Sequence, residues 1–183
     1  YTAPRVDILN NKRPMPEGSS FDIGVYERSS DTDDIPPKVT SVTASTADGS
    51  YKIGEEVSVT VIFDKAVTVT GTPQLTLETG SSDAVVDYTS GSGTTTLTFN
   101  YTIAQGHISS DLDYVSTSSL ALNGGTIKAT GGTSVATLTL PSPGAINSLG
   151  ANKALVINLS SVLIVSKDLN DFNSITAAYN QAK

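Results

Sequence analysis

From Lys38 to Asn158, apolar and polar residues alternate in short runs that are broken by Gly, Ser, Pro and Asp. In Val57-Ser58-Val59-Thr60-Val61-Ile62-Phe63, the side chains of Val57, Val59, Val61 and Phe63 fall on one face of a pleat, because successive residues of a strand point to opposite sides. Such a run predicts an antiparallel strand with one face on a core and the other toward water. The same reading predicts strands at residues 39–45, 74–78, 84–88, 94–101, 112–114, 120–122, 126–128, 136–140 and 154–157. Turns are predicted at Ala47-Asp48-Gly49-Ser50 and Ser90-Gly91-Ser92-Gly93, and Gly71, Gly124, Gly125, Gly131 and Gly132 sit where hairpins must reverse. Strand signals at this short spacing, with no helical period between them, predict an all-β antiparallel sandwich rather than a βαβ sheet.

The two flanks follow different patterns. Residues 1–28 contain Pro4, Pro14 and Pro16 and one alternating run, Phe21-Asp22-Ile23-Gly24-Val25-Tyr26, enough for a short β-strand segment that must lean on something else. Residues 29–37 read as an acidic, Pro-containing linker stiffened by Pro36-Pro37. In residues 159–183 the continuous run Val162-Leu163-Ile164-Val165 suits a strand covered on both faces. Phe172, Ile175, Tyr179 and Ala182 then recur at helical spacing, which predicts a short C-terminal amphipathic helix.

The ordered series Asp48-Gly49-Ser50-Tyr51, Gly54-Glu55, Val61-Ile62-Phe63-Asp64-Lys65-Ala66-Val67 and Gly71-Thr72-Pro73-Gln74-Leu75-Thr76-Leu77 resembles the Ig-like repeat of very large bacterial surface proteins. The resemblance continues through Leu97-Thr98-Phe99-Asn100-Tyr101, Leu120-Ala121-Leu122-Asn123-Gly124-Gly125-Thr126-Ile127 and Ala136-Thr137-Leu138-Thr139-Leu140-Pro141. Phe21-Asp22-Ile23-Gly24-Val25-Tyr26-Glu27 is similar to the closing strand of right-handed parallel β-helix domains of exported proteins. Phe172-Asn173-Ser174-Ile175-Thr176-Ala177-Ala178-Tyr179 looks like the cap helix that opens another. The resemblance implies an Ig-like sandwich over 38–158 between the last coil of one β-helix (1–28) and the start of a second (159–183). A coil of that kind buries its apolar face only by stacking on neighbours, which agrees with two flanks that look unfinished. The other arrangement is that both flanks pack on the sandwich itself.

Composition narrows the function classes. A net charge of −7 disfavours nucleic acid and anionic membranes as partners, and no apolar run approaches the roughly 20 residues that a spanning helix needs. Without cysteine there is no disulfide, thiolate nucleophile or Cys-based metal site. A Thr/Ser/Gly-rich acidic β chain of this kind suits an extracellular home, at the bacterial cell surface or secreted.

Candidate chemistry is sparse. The single histidine, His107, follows Gly106 in a predicted loop and reads as solvated, and no Gly-x-Ser-x-Gly elbow accompanies it. Asp111 and Asp113 would share one side of a strand, the carboxylate pairing glycosidases use, but acidic residues at a strand start also keep a sheet edge soluble. Asp31, Asp33 and Asp34 place three carboxylates within four residues, either a solvated linker or a Ca²⁺ site at a junction, with Asp48, Glu55 and Glu56 as further ligands. The sequence thus leads to a non-enzymatic structural or adhesion module, contacting neighbouring domains of its own chain and a host or extracellular glycan or protein. The second reading is a carbohydrate-binding module of a secreted polysaccharide-processing enzyme; the absence of Trp platforms weighs against it.

Overall fold

The computed structural model describes residues 35–158. Among them, the strands in chain order are β1 (Val39–Ala44), β2 (Gly49–Lys52), β3 (Glu56–Thr70), β4 (Gln74–Glu78), β5 (Ala84–Ser90), β6 (Thr94–Thr102), β7 (Asp113–Tyr114), β8 (Leu120–Ala121) and β9 (Thr126–Ala129). A one-turn helix α1 (Leu149–Asn152) and β10 (Leu155–Asn158) complete the described chain. The fold is all-β and mostly antiparallel.

The Thr/Val alternation acts as expected in β3. Val57, Val59, Val61 and Phe63 are buried while Ser58, Thr60 and Ile62 lie on the outer face. β3 is the centre of one eight-stranded sheet ordered β1-β3-β6-β5-β4-β7, with β9 also on β3 and β8 on β4. Two irregularities curl it. The β3–β6 register slips between Ile62 and Val67, after which Val67–Thr70 pair with β9. β5 also changes partner: its start, from Ala84 to Asp87, pairs with β4, whereas Tyr88 and Ser90 pair with β6. Bulges bend and twist a strand, so the sheet turns back over its own apolar face.

The inward residues therefore form one core. Val42, Val59, Val61, Leu97 and Phe99 from β1, β3 and β6 join Leu75, Leu77, Val86, Tyr114 and Leu120 from the β4 side. Each such buried side chain contributes about 1.5–3 kcal/mol relative to leaving it in water. Tyr88 sets its ring edge-on to Phe99, with centroids 6.1 Å apart, where β5 crosses to β6.

Several expectations need correction. The turn predicted at Ala47-Asp48-Gly49-Ser50 holds only in its first half: Gly49 and Ser50 open β2, which pairs in parallel with β10 in a separate two-stranded sheet. Residues 136–140 form no named strand: they are held by isolated bonds, from Ala136 N–H to the Ile127 carbonyl, Thr137 N–H to Pro37 and Leu140 N–H to Thr117. β3 runs 15 residues, past the Asp64-Lys65 pair at which the alternation becomes unreadable. The helix α1 was unforeseen; Ser148 caps it by accepting the Ala151 N–H at 3.2 Å. The predicted helix after Asp168, the strand segment in 1–28 and the run Val162-Leu163-Ile164-Val165 lie outside the described residues.

Entry and exit are far apart. Lys38 meets Asp64 beside the Phe63 end of the β1–β3 ladder, where each backbone N–H of the pair finds an oxygen of the other residue. Asn158 pairs with Lys52, whose N–H and carbonyl both bond to Glu55, immediately before β3 begins. At roughly 3.3 Å per residue, the stretch of β3 between these points is about 25 Å long.

Candidate functional site

The acidic cluster Asp31, Asp33 and Asp34 lies outside the described residues. Of the residues proposed as further ligands, Asp48 and Glu55 are engaged by other groups. Asp48 forms an ion pair with Lys153 at 2.9 Å and accepts the Ala154 N–H, and these contacts hold its carboxyl below the ordinary carboxylate range. Glu55 Oε2 takes the Lys52 N–H at 2.9 Å, at the exit end of β3. The acidic side chain at the entry end is Asp64, whose Oδ1 accepts the Lys38 N–H at 2.8 Å. Among the described residues no group of three or more His, Asp or Glu side chains is arranged to hold a metal ion.

Asp111 and Asp113 do converge, but around a backbone. A β-carbon on Gly150 would lie 3.0 Å from Asp113 Oδ2 and 3.6 Å from Asp111 Oδ2, so this one-turn helix passes directly beneath both carboxylates. Asp113 is half-buried and committed: Oδ1 accepts the Tyr114 N–H and Oδ2 the Gly144 N–H, each at 2.9 Å. Next to it the Tyr114 hydroxyl donates to the Pro141 carbonyl at 2.6 Å. Burial, then the Asp113 charge, holds that phenol well above its ordinary range. Asp113 therefore ties the 141–150 segment to β7, a structural task rather than that of a surface solubiliser, and Asp111 remains exposed.

His107 is the third candidate, and its loop is correctly foreseen while its surroundings are not. The ring is half-buried and stacks on Tyr101, with centroids 5.7 Å apart and planes at 27°. Its Nδ1 lies 2.9 Å from the Tyr101 hydroxyl and accepts the Ala104 N–H at 3.3 Å. Burial pushes the Tyr101 phenol up to about 12. The sequence signal for this pairing is the spacing of a core-phase tyrosine and the sole histidine across one tight turn.

His107 and the Asp111/Asp113 pair stay separate. No hydrogen bond or ion pair joins His107 to a carboxylate among the described residues. Asn100, the first residue of the Asn100-Tyr101-Thr102 sequon, uses its side-chain oxygen to accept the Ser58 hydroxyl at 3.0 Å. No protein-family model, curated protein or solved structure matches the chain.

Proposed function

We propose that residues 38–158 are a non-enzymatic, Ig-like β-sandwich module that spaces or connects neighbouring domains of an extracellular bacterial surface or secreted protein, and contacts a host or extracellular glycan or protein. The observation that carries this reading is the separation of entry and exit: the chain joins the β1–β3 ladder beside Phe63 and Asp64 and leaves beside Lys52 and Glu55, at the other end of the same stretch of β3. A unit threaded end to end lengthens an array; one whose ends meet is an insertion. In this arrangement residues 1–28 and 159–183 belong to flanking β-helical domains.

The test is small-angle scattering on a longer stretch of the natural chain with a folded domain on each side. The reading expects the flanking domains on opposite sides, at least the length of the module apart; a side-by-side placement overturns it. Hydrolysis of a polysaccharide or peptide by the purified chain, lost on Asp111→Asn or Asp113→Asn, overturns the non-enzymatic part. At the entry junction, Asp31, Asp33 and Asp34 supply the oxygen ligands that a Ca²⁺ ion would take. A chelator then lowers the melting temperature of the full chain, and Asp33→Asn with Asp34→Asn removes that response; identical melting curves leave a solvated linker.

A further inference from the structure

Beyond the end of β6, the chain makes one tight turn before it meets β10. The His107 N–H donates to the Ala104 carbonyl at 3.3 Å, and Gly106 takes a φ of +90° that closes the turn. Inside it, the Ala104 N–H donates back to His107 Nδ1. A backbone N–H can only donate, so Nδ1 must present its lone pair and the ring proton must sit on Nε2. The Tyr101 hydroxyl, on a residue only 2% exposed, reaches the same nitrogen.

We propose that His107 is an acid-sensitive latch on the 104–109 loop. Adding a proton to the ring places an N–H on Nδ1 opposite the Ala104 N–H, two donors with no acceptor between them. The tyrosine hydroxyl can rotate to accept, but the backbone amide cannot, so the ring must leave the turn. The loosened residues lead directly into the pairing that holds the last described strand. Ile108 N–H bonds to the Thr79 carbonyl at 3.0 Å, and Ser109 exchanges two bonds with Ile157, at 3.0 and 2.8 Å.

Ionisable groups on the elements that bond to or follow the loop include Tyr101 on β6, Lys52 on β2, Glu55 and Glu56 at the start of β3, Glu78 and Asp83 on either side of the Thr79–Ile108 bond, and Asp111 and Asp113 beyond Ser109. Glu55 is tied to the Lys52 N–H and Glu78 to the Gly80 N–H at 3.0 Å, and neither bonds to the imidazole. His107 is the only histidine in the chain.

Amide hydrogen exchange on the full chain, at about pH 7.5 and about pH 5.5, tests this once each rate is divided by that of the same sequence unfolded. Protection at Ala104, Ile108 and Ser109 falls about two- to tenfold at the lower pH, the size of one lost hydrogen bond, while Val59 and Phe99 keep theirs. The loss follows the same titration curve as the imidazole resonances. His107→Asn offers a side-chain oxygen as a non-titrating acceptor and abolishes the acid response. Unchanged protection at Ala104 between the two pH values overturns the proposal, as does an acid response that survives in His107→Asn. The wild-type measurement decides alone if that variant does not fold.

Discussion

The β1–β3–β6 ladder and the 141–153 segment that lies against it are held by different forces. In the ladder, backbone rungs alternate with apolar side chains pointing inward, and the outward Thr60, Thr96 and Thr98 carry little of the structure individually. In the segment, single polar side chains hold the backbone in place. The Asn152 side-chain amide donates to the Val42 carbonyl at 2.8 Å and to the Ser41 hydroxyl, beside a backbone bond from the Val42 N–H to the Asn147 main-chain carbonyl at 2.9 Å. Asp113 and Tyr114 fasten its other end. The ladder thus depends on volume and the segment on named hydrogen bonds.

The largest expected effect comes from breaking the ladder by volume. Phe99→Ala removes a fully buried ring from the middle of β6 and should cost about 3–5 kcal/mol in urea unfolding, as deletion of a core aromatic does. Asn152→Ala should cost less, about 1–3 kcal/mol, by leaving the Val42 carbonyl at the β1 edge without its donor. If the asparagine change costs more than the phenylalanine change, the contrast between the two regions fails.

Smaller effects follow from pH and charge. Burial raises the Tyr101 phenol from its ordinary value of 10 to about 12, so the folded protein favours the neutral form. That contribution is complete below pH 10 and is lost as pH rises toward 12; an alkaline titration of stability should fall across this window, and the fall should be reduced in Tyr101→Phe. The smallest effect belongs to Asp48. Its carboxyl is held low by Lys153, so its contribution is present at neutral pH and lost as pH falls through the carboxylate range. Because it is exposed, Asp48→Asn should barely move the melting temperature, and added salt should erase the difference. A large, salt-insensitive loss would mean that the pair does more than bridge the surface.

The strands that carry the ladder were legible because burial imposes a period of two, and Val57, Val59, Val61 and Phe63 obey it without interruption. Ala136, Leu138 and Leu140 obey the same period, and Ala136 and Leu140 are buried as expected; what they lack is a continuous backbone partner. Alternation reports which side of a segment faces the core, not what its amides bond to. β2 failed in the opposite way: Asp48-Gly49-Ser50 looks like part of a turn, and only β10, more than a hundred residues later, makes Gly49 to Lys52 a strand. The Asp111/Asp113 proximity was legible from their spacing, whereas Gly144 and Gly150, the backbone around which they close, was not. The Tyr101–His107 contact needed only a six-residue turn, yet its meaning depends on the Ala104 amide, which no side-chain pattern reveals.

The placement of entry and exit also has a mechanical meaning. A pull on the two ends of this module draws β1 away from the Phe63 end of β3 along the strand direction, against five paired positions from Val39↔Phe63 to Ala44↔Val59. Rungs loaded in this way resist together rather than opening one after another as a zipper does. For the spacer proposed above, this geometry would make β1 resist traction as a block, while the four-position β2–β10 pair at the exit end would be the first to give way.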